Sequence, residues 1–254
     1  MRLWSRREFG LLTGASLASI ATAPTCAFGL DASANDGRLK ARPQTNPTGT
    51  ANPGTQPLGL ATGRDGVLQL PVATGAPVPL LLLLHGAGGS GERMLNRLGS
   101  APRDAGIAVL APDSRAATWD AITTGYGPDV DFLDRALDRT FARVAVDPAR
   151  LVIGGFSDGA SYALSLGLIN GDLFKRIVAF SPGFIVPGKQ TGKPRIFISH
   201  GTADQILPIE QCGRRLATAL RATSHDVTFR EFEGGHEVPM AVAQEAIAWI
   251  TTKK

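Results

Sequence analysis

Leu151-Val152-Ile153-Gly154-Gly155-Phe156-Ser157-Asp158-Gly159, continuing through Ala160 to Ile169, is the stretch that decides the fold. Its first six residues form a short apolar run bounded by glycine, the pattern of a strand buried on both faces. Ala160 to Ile169 is an apolar run that reads as a strong helix. Between them sits Gly155-Phe156-Ser157-Asp158-Gly159, a G-x-S-x-G pattern. In a chain with 30 glycines such a pattern arises readily by chance, so the match alone says little. Its position says more. A chain passing from a buried strand straight into a helix must turn sharply, which holds Ser157 in a strained conformation above the sheet. Glycine on either side permits the turn, because a Cβ there would strike the neighbouring strand or helix. The simpler reading, a serine that only caps the helix, explains neither glycine.

Working outward, strands and helices alternate. Val78 to Leu84 is a continuous apolar run ended by His85-Gly86, and Ile107 to Leu110 repeats it before Ala111-Pro112-Asp113. Asp131 to Val144 places Phe132, Leu133, Ala136, Leu137, Phe141 and Val144 on one helical stripe and Asp/Arg on the other. Ile177–Phe180 and Ile196–Ile198 are further buried strands. Glu210 to Ala222 reads as a helix, Val227 to Phe232 as an edge strand and Val238 to Ile250 as a closing helix. A hairpin-like region precedes Val78. The expected fold class is therefore α/β, a mostly parallel sheet covered by helices on both faces, with no large cap domain. Ligands on such sheets bind at the carboxyl ends of the strands, which tests every candidate residue by position.

Ser157 needs a base, and the chain offers four histidines. His225 precedes the edge strand, at the wrong end of the sheet. His85 and His200 each end a buried strand and read as structural hydrogen-bonders. His236 follows the last strand, in Glu233-Gly-Gly-His236, and is the best base. Asp204, in His200-Gly-Thr-Ala-Asp204, lies at the same edge and can orient it, whereas Asp131, Asp134 and Asp138 belong to a solvated helix face. Ser157, Asp204 and His236 then follow the chain order Ser…Asp…His of the α/β-hydrolases.

A rival motif competes. His85-Gly86-Ala87-Gly88-Gly89-Ser90-Gly91 contains G-x-G-x-x-G after a strand, with Asp113 at the end of the next, as in dinucleotide sites. His85 intrudes at that turn, no Tyr-x-x-x-Lys pair serves hydride chemistry, and no Lys-Ser/Thr follows to make a P-loop. The loop has a better use, because hydrolases draw their second oxyanion donor from this position.

From about Gly59 the chain resembles the bacterial serine-esterase branch of the phospholipase/carboxylesterase family. The matching segments are Leu84–Gly89, Ala111–Arg115, Trp119-Asp120, Gly155–Gly159, His200–Asp204 and Gly235-His236. That resemblance implies hydrolysis of small carboxylic esters, with thioesters and lysophospholipids as further candidates, by two-step acyl transfer and without a cofactor or metal. It also implies an oxyanion hole formed by the backbone N–H groups of Ala87 and Asp158. Asp158 departs from the many relatives that carry Gln there, but only its N–H matters to the hole. Trp119 and Leu207 are expected to contact substrate, with Tyr126, Phe184 and Ile185 nearby. The loop from Ala116 to Pro128 is expected to roof the pocket. An alternative is a non-catalytic or nucleotide-binding α/β protein using Gly86–Gly91.

The remaining residues are of a different kind. Arg6-Arg7-Glu8-Phe9 precedes a mildly apolar, uncharged run from Leu11 to Ala23 and small residues near Ala23 and Ala27, as in a bacterial twin-arginine export signal. The expected organisation is a signal over 1–27, a flexible linker or surface strap over 28–57 and a catalytic domain over 58–254. The signal accounts for part of the basic balance: without Arg2, Arg6, Arg7 and Glu8 the net charge falls from +4 to +2. Pro24-Thr25 makes a poor lipobox before Cys26, and with Cys26 removed Cys212 stands alone, expected buried and inert. Two cysteines in 254 residues exclude a disulfide scaffold, and no segment after the signal supplies the run of about 20 apolar residues that a membrane span needs. A diffuse charge without a basic stripe excludes an evident nucleic-acid surface.

Overall fold

The computed structural model describes residues 35–44, 46–49, 51–72 and 76–252. The export signal read over 1–27, with Cys26, lies outside them. Eight strands form one sheet: β1 Gly54–Pro57, β2 Gly66–Leu70, β3 Val78–Leu84, β4 Ala108–Pro112, β5 Val146–Phe156, β6 Arg176–Phe180, β7 Arg195–Gly201 and β8 Val227–Phe232. Their spatial order is β1-β2-β4-β3-β5-β6-β7-β8. The hairpin-like region before Val78 is the antiparallel pair β1–β2, and β2 also pairs antiparallel with β4. From β4 to β8 every pairing is parallel.

Period-two alternation divides the core. Leu80, Leu82 and Leu84 of β3 face one apolar cluster and Leu81 and Leu83 face the other. The first cluster packs beneath α4 (Pro128–Phe141), α5 (Asp158–Ile169) and α6 (Arg215–Ala222). The second packs beneath α1 (Gly91–Arg97) and α7 (Met240–Thr251), through Met94, Leu95, Val242 and Ala246. Two short helices, α2 Ala101–Asp104 and α3 Asp120–Thr123, complete the set among the described residues. None of these helices is long and apolar enough to cross a membrane. The helix expected from Glu210 opens with a wide π turn over Glu210–Arg214 before α6. There Gly213 lies flat on the His200 ring, where any Cβ would be 2.6 Å from Nδ1. Cys212, in the same turn, is buried, and burial pushes its thiol pKa up.

Residues ahead of 58 also pack on the body. Leu39, the one large apolar side chain between residues 31 and 57, is 1% exposed and belongs to the larger core cluster. Polar groups fix the backbone around it. Leu39 N–H donates to Asn170 Oδ1 (2.9 Å), and the N–H groups of Lys40 and Ala41 both donate to Asp134 Oδ1 (2.7 and 2.8 Å). The Arg38 guanidinium clasps Asp172 through Nη1 and Nη2 (2.8 and 3.0 Å), holding that carboxyl well below its usual pKa. Of the two readings of this segment, the surface strap is the one described, held by Asn170 and Asp134 of the body and by its own Arg38. The described residues between 35 and 57 thus form a strap ending in the first strand. Leu39→Ala is expected to cost about 2–4 kcal/mol in urea unfolding, as for other buried leucines, whereas a free linker would show no change.

Candidate active site

β5 delivers Phe156 to its carboxyl end, and the chain reverses into α5 through Ser157, whose φ is +58° and ψ −121°. A β-carbon is costly in that region of backbone space, and strain of this kind persists only where the surroundings over-determine it. They do so here. A Cβ on Gly155 would fall inside contact distance of Gly159 O, and one on Gly159 would strike Leu84 O and His85 O. β3, β5 and α5 therefore meet backbone to backbone, as expected from the glycines. Gly86 closes the other side, its Cβ position 3.2 Å from Ser157 Cβ.

The loops after β7 and β8 complete the constellation. His236 Nε2 lies 2.8 Å from Ser157 Oγ, and its Nδ1 lies 2.7 Å from Asp204 Oδ2. Burial alone would raise the Asp204 pKa. Hydrogen bonds from the N–H groups of Leu207 (2.9 Å) and Ile206 (3.0 Å), with that from His236, outweigh it and lower the pKa. With Asp204 ionised, Nδ1–H donates to the carboxylate and Nε2 is left to accept the serine proton. Phe156 packs on the imidazole, ring centroids 4.8 Å apart. Ser157, Asp204 and His236 are thus brought together from three separate loops.

The other histidines have structural partners. His85 Nε2 accepts from Ser114 N–H (3.0 Å), its Nδ1–H donates to Gly86 O (2.7 Å), and burial lowers its pKa. His200, fully buried, donates from Nε2 to Leu207 O (2.7 Å). It also lies 3.3 Å from Asp204 Oδ2. His225 sits beside Thr223 Oγ1 (3.1 Å), before β8 at the far end of the sheet.

The Gly86–Gly91 loop is built for packing. Gly88 N–H donates to Ala117 O (2.7 Å) and Gly89 N–H to Gly86 O (3.0 Å), while a Cβ on Gly91 would collide with Ala111 O. Asp113, the acid a dinucleotide ribose would need, accepts from Gly91 N–H (2.7 Å). Of the two residues named for an oxyanion hole, Ala87 follows Gly86, whose Cβ position is 3.2 Å from Ser157 Cβ, and Asp158 follows Ser157 and opens α5. The Asp158 carboxylate accepts from Thr118 Oγ1 (2.7 Å), a sideways tie that anchors the 116–128 loop.

One site assignment is corrected. Trp119 is fully buried and contacts no open pocket: Nε1 donates to His85 O (2.8 Å), and the ring stacks on Tyr162 at 5.2 Å. It supports the loop that carries Ala87 from beneath, because the indole N–H finds its partner in that loop's backbone. Leu207 is half-buried beside Asp204 and packs near Gly183, at the rim of the site. Two carboxylates missed by sequence reasoning organise the 116–128 loop. Asp120 accepts from Tyr162 Oη (2.8 Å), Gly127 N–H (2.9 Å) and Asp129 N–H (2.8 Å). Asp129 accepts from Arg115 N–H (2.6 Å) and Asp120 N–H (2.7 Å), yet burial pushes its pKa up to about 6. Acidic residues flanking a Gly-rich loop were the available signal.

Comparison with known proteins gives these observations a setting. The crystal structure of esterase PE8 superposes with a TM-score of 0.60 at 26% identity, covering 73% of this chain and 96% of PE8. NocK of Nocardia uniformis, a protein named as an esterase, is 30% identical over 167 residues, 59% of this chain and 48% of NocK. The match thus spans about half of that relative's length. Feruloyl esterase C of Emericella nidulans is 25% identical over 216 residues, 71% of this chain and 79% of that one. Fold and relatives define the class: a protein of the α/β-hydrolase fold, similar to proteins named as esterases. Within that class, residues 130–253 match the model of the Phospholipase/Carboxylesterase family.

Because the folded-state pKa of Asp129 is raised, its contribution to stability is fully present below about pH 3.9 and is lost as pH rises through about 6. Asp129→Asn is therefore expected to cost about 1–3 kcal/mol more at pH 4.5 than at pH 7.5, read from urea midpoints of both proteins.

Proposed function

We propose that the chain is an exported serine esterase that cleaves small carboxylic esters by acyl transfer through Ser157, His236 and Asp204. The observation that carries this is the unbroken relay from Asp204 Oδ2 through His236 to Ser157 Oγ, at 2.7 and 2.8 Å. His236 Nε2 takes the serine proton as Oγ attacks the ester carbonyl. The tetrahedral oxyanion rests on the backbone N–H groups of Ala87 and Asp158. His236 then returns its proton to the leaving alcohol, giving the acyl-enzyme and free alcohol. In the second half it accepts a proton from water, which attacks the acyl carbonyl and releases the acid and free Ser157. Asp204 stays ionised throughout and stabilises the imidazolium.

The 116–128 loop, pinned by Asp120 and Asp129, is too short to form a separate lid, which favours small soluble esters or thioesters over long-chain lipids. Arg6-Arg7 and the diluted apolar run after them support export by the twin-arginine route, into the periplasm or beyond, in a bacterium. Two relatives carry the name feruloyl esterase, so an aromatic acyl group belongs in the substrate panel beside straight chains.

Ser157→Ala is expected to abolish p-nitrophenyl acetate hydrolysis and fluorophosphonate labelling while the circular dichroism spectrum is unchanged. Turnover retained by that variant would rule out the assignment. Asp204→Asn is expected to lower kcat about 10⁴-fold, because the imidazole would be held in the wrong tautomer. Asp158→Asn keeps the backbone donor and is expected to lose less than about 10-fold, well short of the 10²–10³ typical of a lost oxyanion donor.

A further inference from the structure

On the oxyanion loop opens a cavity of about 190 Å³ whose far wall takes no part in the reaction above. Its floor is the backbone of Gly86–Gly89 and its far wall is α1, which contributes Arg93 and Arg97. These arginines are four residues apart and share one helical face, a like-charged spacing that weakens a helix. Among the described residues neither is paired with a carboxylate, and no lining residue of the cavity is acidic. The nearby Asp113 is already held by Gly91 N–H. Arg97 stands over the Phe156 ring at 5.2 Å, and Phe156 is the same ring that packs on His236. The cavity also reaches Gly86, where a Cβ would lie 3.2 Å from Ser157 Cβ. Two exposed arginines thus line one cavity next to the turn that carries Ser157, without a carboxylate partner among the described residues.

We propose that this cavity is an anion subsite, and that the preferred substrates are esters carrying a free carboxylate, which Arg93 and Arg97 bind while the scissile carbonyl lies at Ser157. Guanidinium suits the task, since its planar N–H fork matches a carboxylate in two parallel charge-assisted hydrogen bonds. A concave cationic wall also concentrates anionic substrate before contact, an effect that salt screens over about 10 Å at 0.1 M. The proposal rests on the esterase reading for its chemistry but not for its binding.

The test pairs each anionic ester with its neutral counterpart. 4-Acetoxybenzoate against its methyl ester places the charge on the alcohol side, and mono-p-nitrophenyl adipate against its methyl ester places it on the acyl side. Wild-type protein is expected to favour the acid of at least one pair in kcat/KM by about 10-fold at 0.05 M NaCl. At 0.5 M NaCl that preference is expected to shrink several-fold. Arg93→Gln/Arg97→Gln is expected to erase the preference, and Arg93→Lys/Arg97→Lys to restore part of it. Calorimetric titration of the same pairs into Ser157→Ala reads binding without turnover. An acid-to-neutral ratio of affinities that is the same with and without the arginines overturns the subsite. Binding that depends on the arginines without turnover of any ester by wild type would instead overturn the esterase reading and leave the subsite standing.

Discussion

Everything in this molecule hangs on a place where side chains cannot go. β3, β5 and α5 approach so closely around Gly155 and Gly159 that a single methyl group at either would meet backbone oxygen. That contact fixes the pivot between strand and helix, and the pivot forces Ser157 into its left-handed conformation. The serine is then presented above the sheet edge, where the loops after β7 and β8 deliver Asp204 and His236. The buried leucines of β3 matter because they hold that strand in register with β5, Leu84 opposite Gly155. Core packing here serves one strained residue.

Carboxylates do the second job, holding loops that have few apolar groups of their own. Asp65 gathers the N–H groups of Gly59, Leu60 and Ala61. Asp134 holds the strap, Asp120 and Asp129 hold the 116–128 loop, and Asp204 holds the turn at Ile206 and Leu207 while orienting His236. Each replaces a missing secondary-structure partner for backbone donors, which must be satisfied when withdrawn from water. Asp204 differs from the structural anchors only in what stands on its other oxygen.

Much of this was legible in the sequence because it rests on local patterns. Apolar runs of strand length, helical stripes and glycines at forced turns pointed to the parallel sheet, the turn at Ser157 and the meeting of Ser157, Asp204 and His236. What escaped was non-local. Leu39 sits in a polar, Pro-rich segment whose burial depends on Asn170, Asp134 and Asp172, all far away in sequence. Trp119 looked like a pocket residue, since an aromatic in a Gly-rich loop gives no sign of which way it faces. The π turn before α6 depends on Gly213 meeting His200, a contact that no periodicity announces.

The strap also sets an orientation. It is clamped to Ile169, Asn170 and Asp172, at the end of α5 opposite Ser157. With 12 residues in that helix, the two ends stand about 18 Å apart. Whatever the chain carries ahead of residue 35 therefore joins the body at the pole remote from the nucleophile. A molecule held at a surface by its N-terminal segment would turn the sheet edge that carries Ser157 outward, toward bulk solution.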